Sequence, residues 1–200
     1  MKNSRAKGVS AEREVARLIE AWWSQAEPGC RFVRTPQSGG WHGSEVRAAF
    51  RASGDLMTTA QRFPFCIEVK RRESWSEREL RAGRASPVWA WWQQTCDAAN
   101  ELHAAPMMWF RASRRPWWVM TSLLHPAFPE HSPARRLGHV MPWDSYEWPA
   151  ACPSSTSWPV VFEASDLLAL DPRSTALPRR RGVAGPILSW PETLSSMGDF

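Results

Sequence analysis

The pattern of apolar and polar positions first resolves into a helix. Val15, Leu18, Ile19, Trp22 and Trp23 fall at i, i+3, i+4, i+7 and i+8, which predicts a helix over residues 9–26, ended by Pro28 and Gly29. At about 100° per residue, the centre of this stripe lies about 50° from Glu12, 110° from Glu14 and 150° from Arg13. Glu12 therefore borders the buried face, Glu14 sits on a solvated or DNA-facing flank, and Arg13 points away. Arg31 to Thr35, before Pro36, read as a short strand. "QSGGWHGS", residues 37–44, reads as a glycine-rich loop, and residues 45–53 suggest a helical turn. "GDLM" opens a second strand, with Asp55 and Met57 on one face and Leu56 on the other. In "FPFCIEVKRRE", residues 63–73, Phe65, Ile67 and Val69 alternate with Cys66, Glu68 and Lys70. That is the two-residue period of a strand with one face in a core.

Further on, Val88, Trp92, Thr95, Ala99 and Leu102 form one stripe of a helix over residues 88–104. "APMMWFRA" and "PWWVMTS" read as two strands joined by a turn at "SRRP". After Leu124 the periodicity weakens. "WPVVFEASDLLAL" reads as one more strand and a short helix, and the last thirty residues as an irregular tail. The order of elements predicts an α/β domain over residues 5–124, a mixed sheet with helices beside it. A Pro/Trp-rich extension over 125–200 is expected to pack on that domain or trail from it.

Composition narrows the picture. A chain of 200 residues can bury a sizeable core without staples. No apolar run approaches the roughly 20 residues of a membrane span, and the basic "MKNSRAKGVS" is not followed by the apolar stretch of a secretory signal. No membrane partner is expected. The four cysteines form no CxxC pair and the five histidines no zinc spacing. They read as reduced thiols of a cytoplasmic protein, Cys66 and Cys96 as core fillers. The net charge of +5 favours polyanionic partners, nucleic acid first. Lys2, Lys7 and Lys70 are the only lysines; the other basic residues are arginines, whose forks suit phosphate, although a codon bias would give the same count. Of the 14 tryptophans, Trp22, Trp91 and Trp92 fall in helical patterns and are expected in the core.

The chemistry lies in Glu12, Asp55, Glu68 and Lys70. Glu68 and Lys70 share one strand face, Asp55 starts the preceding strand, and Glu12 approaches if its helix packs on that face. Clustered carboxylates raise one another's pKa and are tolerated when a cation neutralises them. A hard ion such as Mg²⁺ takes one or two carboxylates plus water and phosphate oxygens, and the Val69 carbonyl can add another oxygen. Such an ion acidifies bound water and stabilises charge on a phosphodiester. Lys70 can orient or deprotonate the attacking water, or neutralise the transition state. A lone ExK triplet is more simply an ion pair on an exposed strand; Asp55, after a glycine and before an apolar pair, favours the site.

"SGDLM" followed by "FCIEVKRRE" resembles the PD-(D/E)xK nuclease superfamily. "KGVSAERE", residues 7–14, and "FVRTPQSGG", residues 32–40, are similar to the archaeal and phage Holliday-junction resolvases, over about residues 5–120. The resemblance implies a restriction-endonuclease-like mixed central β-sheet flanked by helices. It also implies a homodimer, Mg²⁺ with Mn²⁺ as a substitute, and hydrolysis of branched double-stranded DNA at four-way junctions, in a bacterial host cytoplasm if phage-encoded. Carried over, Glu12, Asp55, Glu68 and Lys70 are the catalytic set, with Glu12, Asp55, Glu68 and the Val69 carbonyl as metal ligands. Lys7, Arg13, Arg34 and Ser38 match DNA-contacting or supporting positions, and Arg71 and Arg72 are candidate phosphate contacts or solvated charges. Three features depart from the archaeal enzymes: a longer gap from Ser38 to Asp55 containing Trp41 and His42, Gly54 in place of proline, and the C-terminal 75 residues. The Trp-rich form is more similar to phage-encoded endonucleases. A restriction-like, flap or nicking enzyme of the same fold, and an inactive DNA-binding protein, are the alternatives. Gln93, Gln94 and His42 read as surface residues at least as readily as site residues, as do the arginines of "RASRRPWW" and of "PRRRG", residues 178–182.

Overall fold

A computed structural model describes residues 4–36, 50–73, 86–122 and 159–175. The first half comprises helix α1 (Ser4–Trp23) and strands β1 (Phe32–Arg34), β2 (Arg51–Ser53), β3 (Leu56–Thr58) and β4 (Phe65–Arg72). Helix α2 (Pro87–Glu101) and strands β5 (Ala105–Ala112), β6 (Trp118–Ser122) and β7 (Pro159–Glu163) follow, then helix α3 (Ala164–Leu168) and a 3₁₀ turn, Pro172–Thr175. The strands form a four-stranded sheet in the order β4-β5-β6-β7 and a three-stranded antiparallel sheet in the order β1-β3-β2. β4 and β5 are parallel, so their connection must cross the sheet, and α2 lies in that crossover. The other pairs of the larger sheet are antiparallel. Among the described residues, an isolated parallel bridge, Gly54 to Ile67, joins the two sheets along the outer edge of β4. This is a mixed sheet flanked by helices, the restriction-endonuclease-like architecture.

Two apolar layers hold it together. On one face Ala11, Val15, Ile19, Trp22 and Trp23 of α1 pack with Phe65, Ile67, Val69, Met107 and Trp109. On the other, Val88, Trp92 and Cys96 of α2 pack with Met108, Phe110, Met120 and Val161. Both faces of β4 are therefore covered. Cys66 and Glu68 are buried as well as Phe65 and Ile67, which differs from a strand with one wet face.

Other differences are local. α1 begins before the predicted residue 9, because Lys7 pairs with Glu73 beyond the end of β4 and anchors the polar first turns. It ends at Trp23, before Pro28 and Gly29. Residues 51–53 are a strand rather than a helical turn. Arg51 donates through Nε to the Ala60 carbonyl at 2.8 Å and through its guanidinium to Phe63, which closes the β3–β4 connection beneath β2. α2 starts one residue early, with Ser86 as its cap accepting from the Val88 N–H at 3.2 Å. β7 is the strand that the pattern predicted; the pattern did not give its antiparallel pairing with β6, and the chain after it docks on α1. There Trp22 donates to the Leu170 carbonyl at 2.9 Å and Arg173 to that of Gln25 at 2.7 Å.

Candidate active site

The site is built on the outer edge of β4. The chain enters it through Gly54, at φ +74°, a conformation that favours glycine. A Cβ there would stand 2.2 Å from the Ile67 carbonyl oxygen, so no other residue fits so close an approach. Asp55 then donates its N–H to the Ile67 carbonyl at 2.7 Å, and its own carbonyl accepts from Thr35 at 2.8 Å. The Thr35 hydroxyl adds a bond to the Gly54 carbonyl at 2.9 Å. Asp55 is thus a turn residue before β3, not a strand residue. Its side chain does what a ladder carbonyl would otherwise do: Oδ2 accepts the Val69 N–H at 2.8 Å.

That bond places the Asp55 carboxylate against the Glu68–Lys70 segment. A residue's N–H and C=O leave a strand on the same side, so the Val69 carbonyl also faces the Asp55 edge rather than β5. Glu68 and Lys70 project on the α2 face, in register with Met108 and Phe110. Lys70 Nζ donates to Glu68 Oε1 and, at 3.0 Å, to Gln94 Oε1 of α2. Gln94 is therefore more than a surface residue: it and Glu68 aim the ammonium between them. Gln93 instead bonds Asp97, one turn along the same helix, at 2.9 Å.

α1 covers the opposite face of β4, so Glu12 does not share a face with Glu68 and Lys70. It still reaches the site around the strand's edge. Glu12 is 8% exposed, pairs with Arg34 of β1, and its charge acts on Asp55. The Asp55 carboxyl is pushed up from 3.8 to about 7, by burial first and by Glu68 next. The Val69 N–H pulls it down, Glu12 raises it further, and Lys70 opposes. Burial and Glu68 also lift the Cys66 thiol, beneath the site, to about 12. Burial and the neighbouring carboxylates thus favour the neutral form of Asp55 despite Lys70 beside it.

No group of three or more His, Cys, Asp or Glu side chains among the described residues is arranged to hold a metal ion. What the edge of β4 offers is two carboxylates, Asp55 and Glu68, and one carbonyl, Val69. That oxygen set suits Mg²⁺, which keeps waters and takes substrate phosphate for the rest of its shell. The residues present therefore fit the group.

Among the predicted DNA contacts, Arg13 is exposed on α1, Arg34 is engaged with Glu12, and Lys7 with Glu73. Arg71 bonds Ser113 at 3.4 Å, and Arg72 is exposed with its guanidinium 4.8 Å from the centre of the Trp91 ring. Trp91 is half-buried and packs against the edge of the α2 layer, whereas Trp22 and Trp92 are buried. Ser38, Trp41, His42 and "PRRRG" lie outside the described residues. Glu14 keeps part of its side chain in solvent but is engaged by other elements. It takes a forked pair from Arg111 at 2.9 and 2.5 Å and a bond from Trp117 Nε1 at 3.0 Å. Its angle on the helix gave no sign of this, because the partners come from β5 and the turn before β6.

A strand carrying Glu-x-Lys, paired in parallel across a helical crossover and met at its edge by a preceding aspartate, is the core of a PD-(D/E)xK-type nuclease. The model of the family described as "Phage putative PDDEXK endonuclease" matches residues 3–134, and the chain belongs to that family. It has no significant match among curated proteins or solved structures.

Proposed function

We propose that the protein is a Mg²⁺-dependent endodeoxyribonuclease that resolves four-way DNA junctions, with Mn²⁺ able to substitute. The observation that carries the hydrolytic part is the Asp55 carboxylate, locked on the Val69 N–H beside Glu68 and Lys70 and driven up to about 7 by burial and neighbouring charge. Asp55, Glu68 and the Val69 carbonyl would hold the ion, with Glu12 adding negative charge from the far side of the strand. Bound there, Mg²⁺ supplies an acidified water and a counter-charge for the phosphodiester.

The chain's own groups do the rest. Lys70, steadied by Glu68 and Gln94, presents its remaining proton toward the reacting phosphate, where it orients the nucleophile and offsets charge in the transition state. Glu68 and Gln94 each accept from Nζ, so its direction is set before DNA arrives. Arg34 holds Glu12 in place and, with Lys7, Arg13, Ser38, Arg71 and Arg72, supports the DNA backbone.

Junction selectivity rests on the resemblance of residues 7–14 and 32–40 to the resolvases. A two-fold homodimer would set two such sites against two strands of a pseudo-symmetric junction, reading shape and phosphate positions rather than base edges. The test is cleavage of a synthetic four-way junction and of a linear duplex of identical sequence, with Mg²⁺. Junction cleavage at least about tenfold faster supports the reading; equal or preferred cutting of the duplex contradicts it and favours a restriction-like or nicking enzyme.

A further inference from the structure

Two arginines at the same end of the larger sheet lie over tryptophan rings, one on each face. On the α1 face, Arg111 lies 4.2 Å from the centre of the Trp117 ring. Its fork is filled by both oxygens of Glu14, and Trp117 bonds the same carboxylate. That assembly is closed on itself and ties α1 to β5. On the α2 face, Arg72 lies 4.8 Å from the centre of the Trp91 ring. Here too the guanidinium lies over the ring, but no carboxylate among the described residues pairs with Arg72, and the side chain is exposed. Stacking uses the flat face of a guanidinium and leaves its N–H edge free for two oxygens of an anion.

Position says which anion. Glu68, Lys70 and Arg72 are alternate residues of β4 and share the α2 face. Gln94 and Trp91 lie one turn apart on α2. Lys70 rests against Gln94 and Arg72 against Trp91, so the strand and the helix face each other as two matched rows. The step from Lys70 to Arg72 is about 6.6 Å along the strand, comparable with the step between successive phosphates of one nucleic-acid strand. We propose that Arg72, held over the Trp91 ring, is a phosphate subsite for the nucleotide flanking the scissile phosphate. The proposal rests on the nuclease reading above and adds to it a second contact and a platform.

The test is equilibrium binding of a DNA that the wild-type protein cleaves, measured without divalent metal at several salt concentrations, followed by cleavage with Mg²⁺. Arg72 is exposed, so its replacement leaves the fold intact. Arg72→Ala is expected to weaken binding about tenfold or more and to lower the salt slope by about one. Arg72→Lys keeps the charge but loses the stacked fork, and is expected to recover less than half of that loss in log affinity. A neutral methylphosphonate beside the mapped cut should weaken wild type and leave Arg72→Ala unaffected further. Wild-type affinity and slope in Arg72→Ala, or full recovery in Arg72→Lys, overturns the subsite while leaving the nuclease reading intact. If the wild-type protein neither binds nor cuts DNA, both fall together.

Discussion

Asp55 carries more of the account than any other residue. The carboxyl gains protons on folding, since its value rises from 3.8 to about 7. Between those values the folded chain holds more protons than the unfolded one, so this group's contribution favours the fold at low pH and is lost as pH climbs toward 7. A bound divalent cation favours the ionised form and reverses that loss. The shift in melting temperature produced by Mg²⁺ is therefore expected to be small at pH 5 and to grow through pH 8; an equal shift at both would contradict a site centred on Asp55. Gln94 makes a second prediction. If its role is to aim Lys70, removing its acceptor in Gln94→Ala should lower kcat several-fold with little change in KM. A change confined to KM would assign it to DNA binding instead. The grouping of Asp55 with Glu68 and Lys70 was legible in the sequence, because residue type and spacing place all three at one strand. The partners of Glu14 and Arg72 were not, since Arg111, Trp117 and Trp91 reach them from other elements.

Among the elements, the junction of β3 and β4 decides whether the site exists. Gly54 lets the chain touch β4 closely enough for the Asp55 carboxylate to replace a ladder carbonyl. Gly54→Ala would pay both for a φ of +74° and for a Cβ 2.2 Å from the Ile67 oxygen, a cost of about 1–3 kcal/mol or more. The thermal midpoint should fall, and activity should fall further than stability does, because Asp55 is displaced with its backbone. Unchanged cleavage would show that the close approach is not needed. The stripes of α1 and α2 and the alternation in β4 were readable as periods. Residues 51–53 were not, because three residues are too few for a period and their pairing with β3 depends on Arg51 reaching the carbonyls of Ala60 and Phe63. Which face of β4 received α1 also lay outside the sequence, since both faces are covered and periodicity names a face without naming its neighbour.

At the scale of the molecule, the larger sheet runs from the candidate site at β4 to β7, whose residues come from beyond the stretch matched by the family model. β7 carries Val160, Val161 and Phe162 into the two apolar layers, so the later part of the chain helps to close the core that supports the site. Val161→Asp is expected to lower the yield of folded protein and cleavage together, as a charge placed in a dry layer would; retained solubility and full activity would contradict that. No helix among the described residues is long and apolar enough to cross a membrane. We propose that Asp55 and Glu68 make the protein a metal-dependent phosphodiesterase. This reading is tested most directly by single-turnover cleavage of one four-way junction by wild type, Asp55→Asn and Glu68→Gln, with Mg²⁺ and with chelator, alongside DNA affinity. Mg²⁺-dependent cutting by wild type is expected, with a loss of about 100-fold or more in each variant and binding equal or tighter because a repelling charge is gone. Cutting that survives in both variants, or wild-type cutting that is indifferent to chelator, would contradict it.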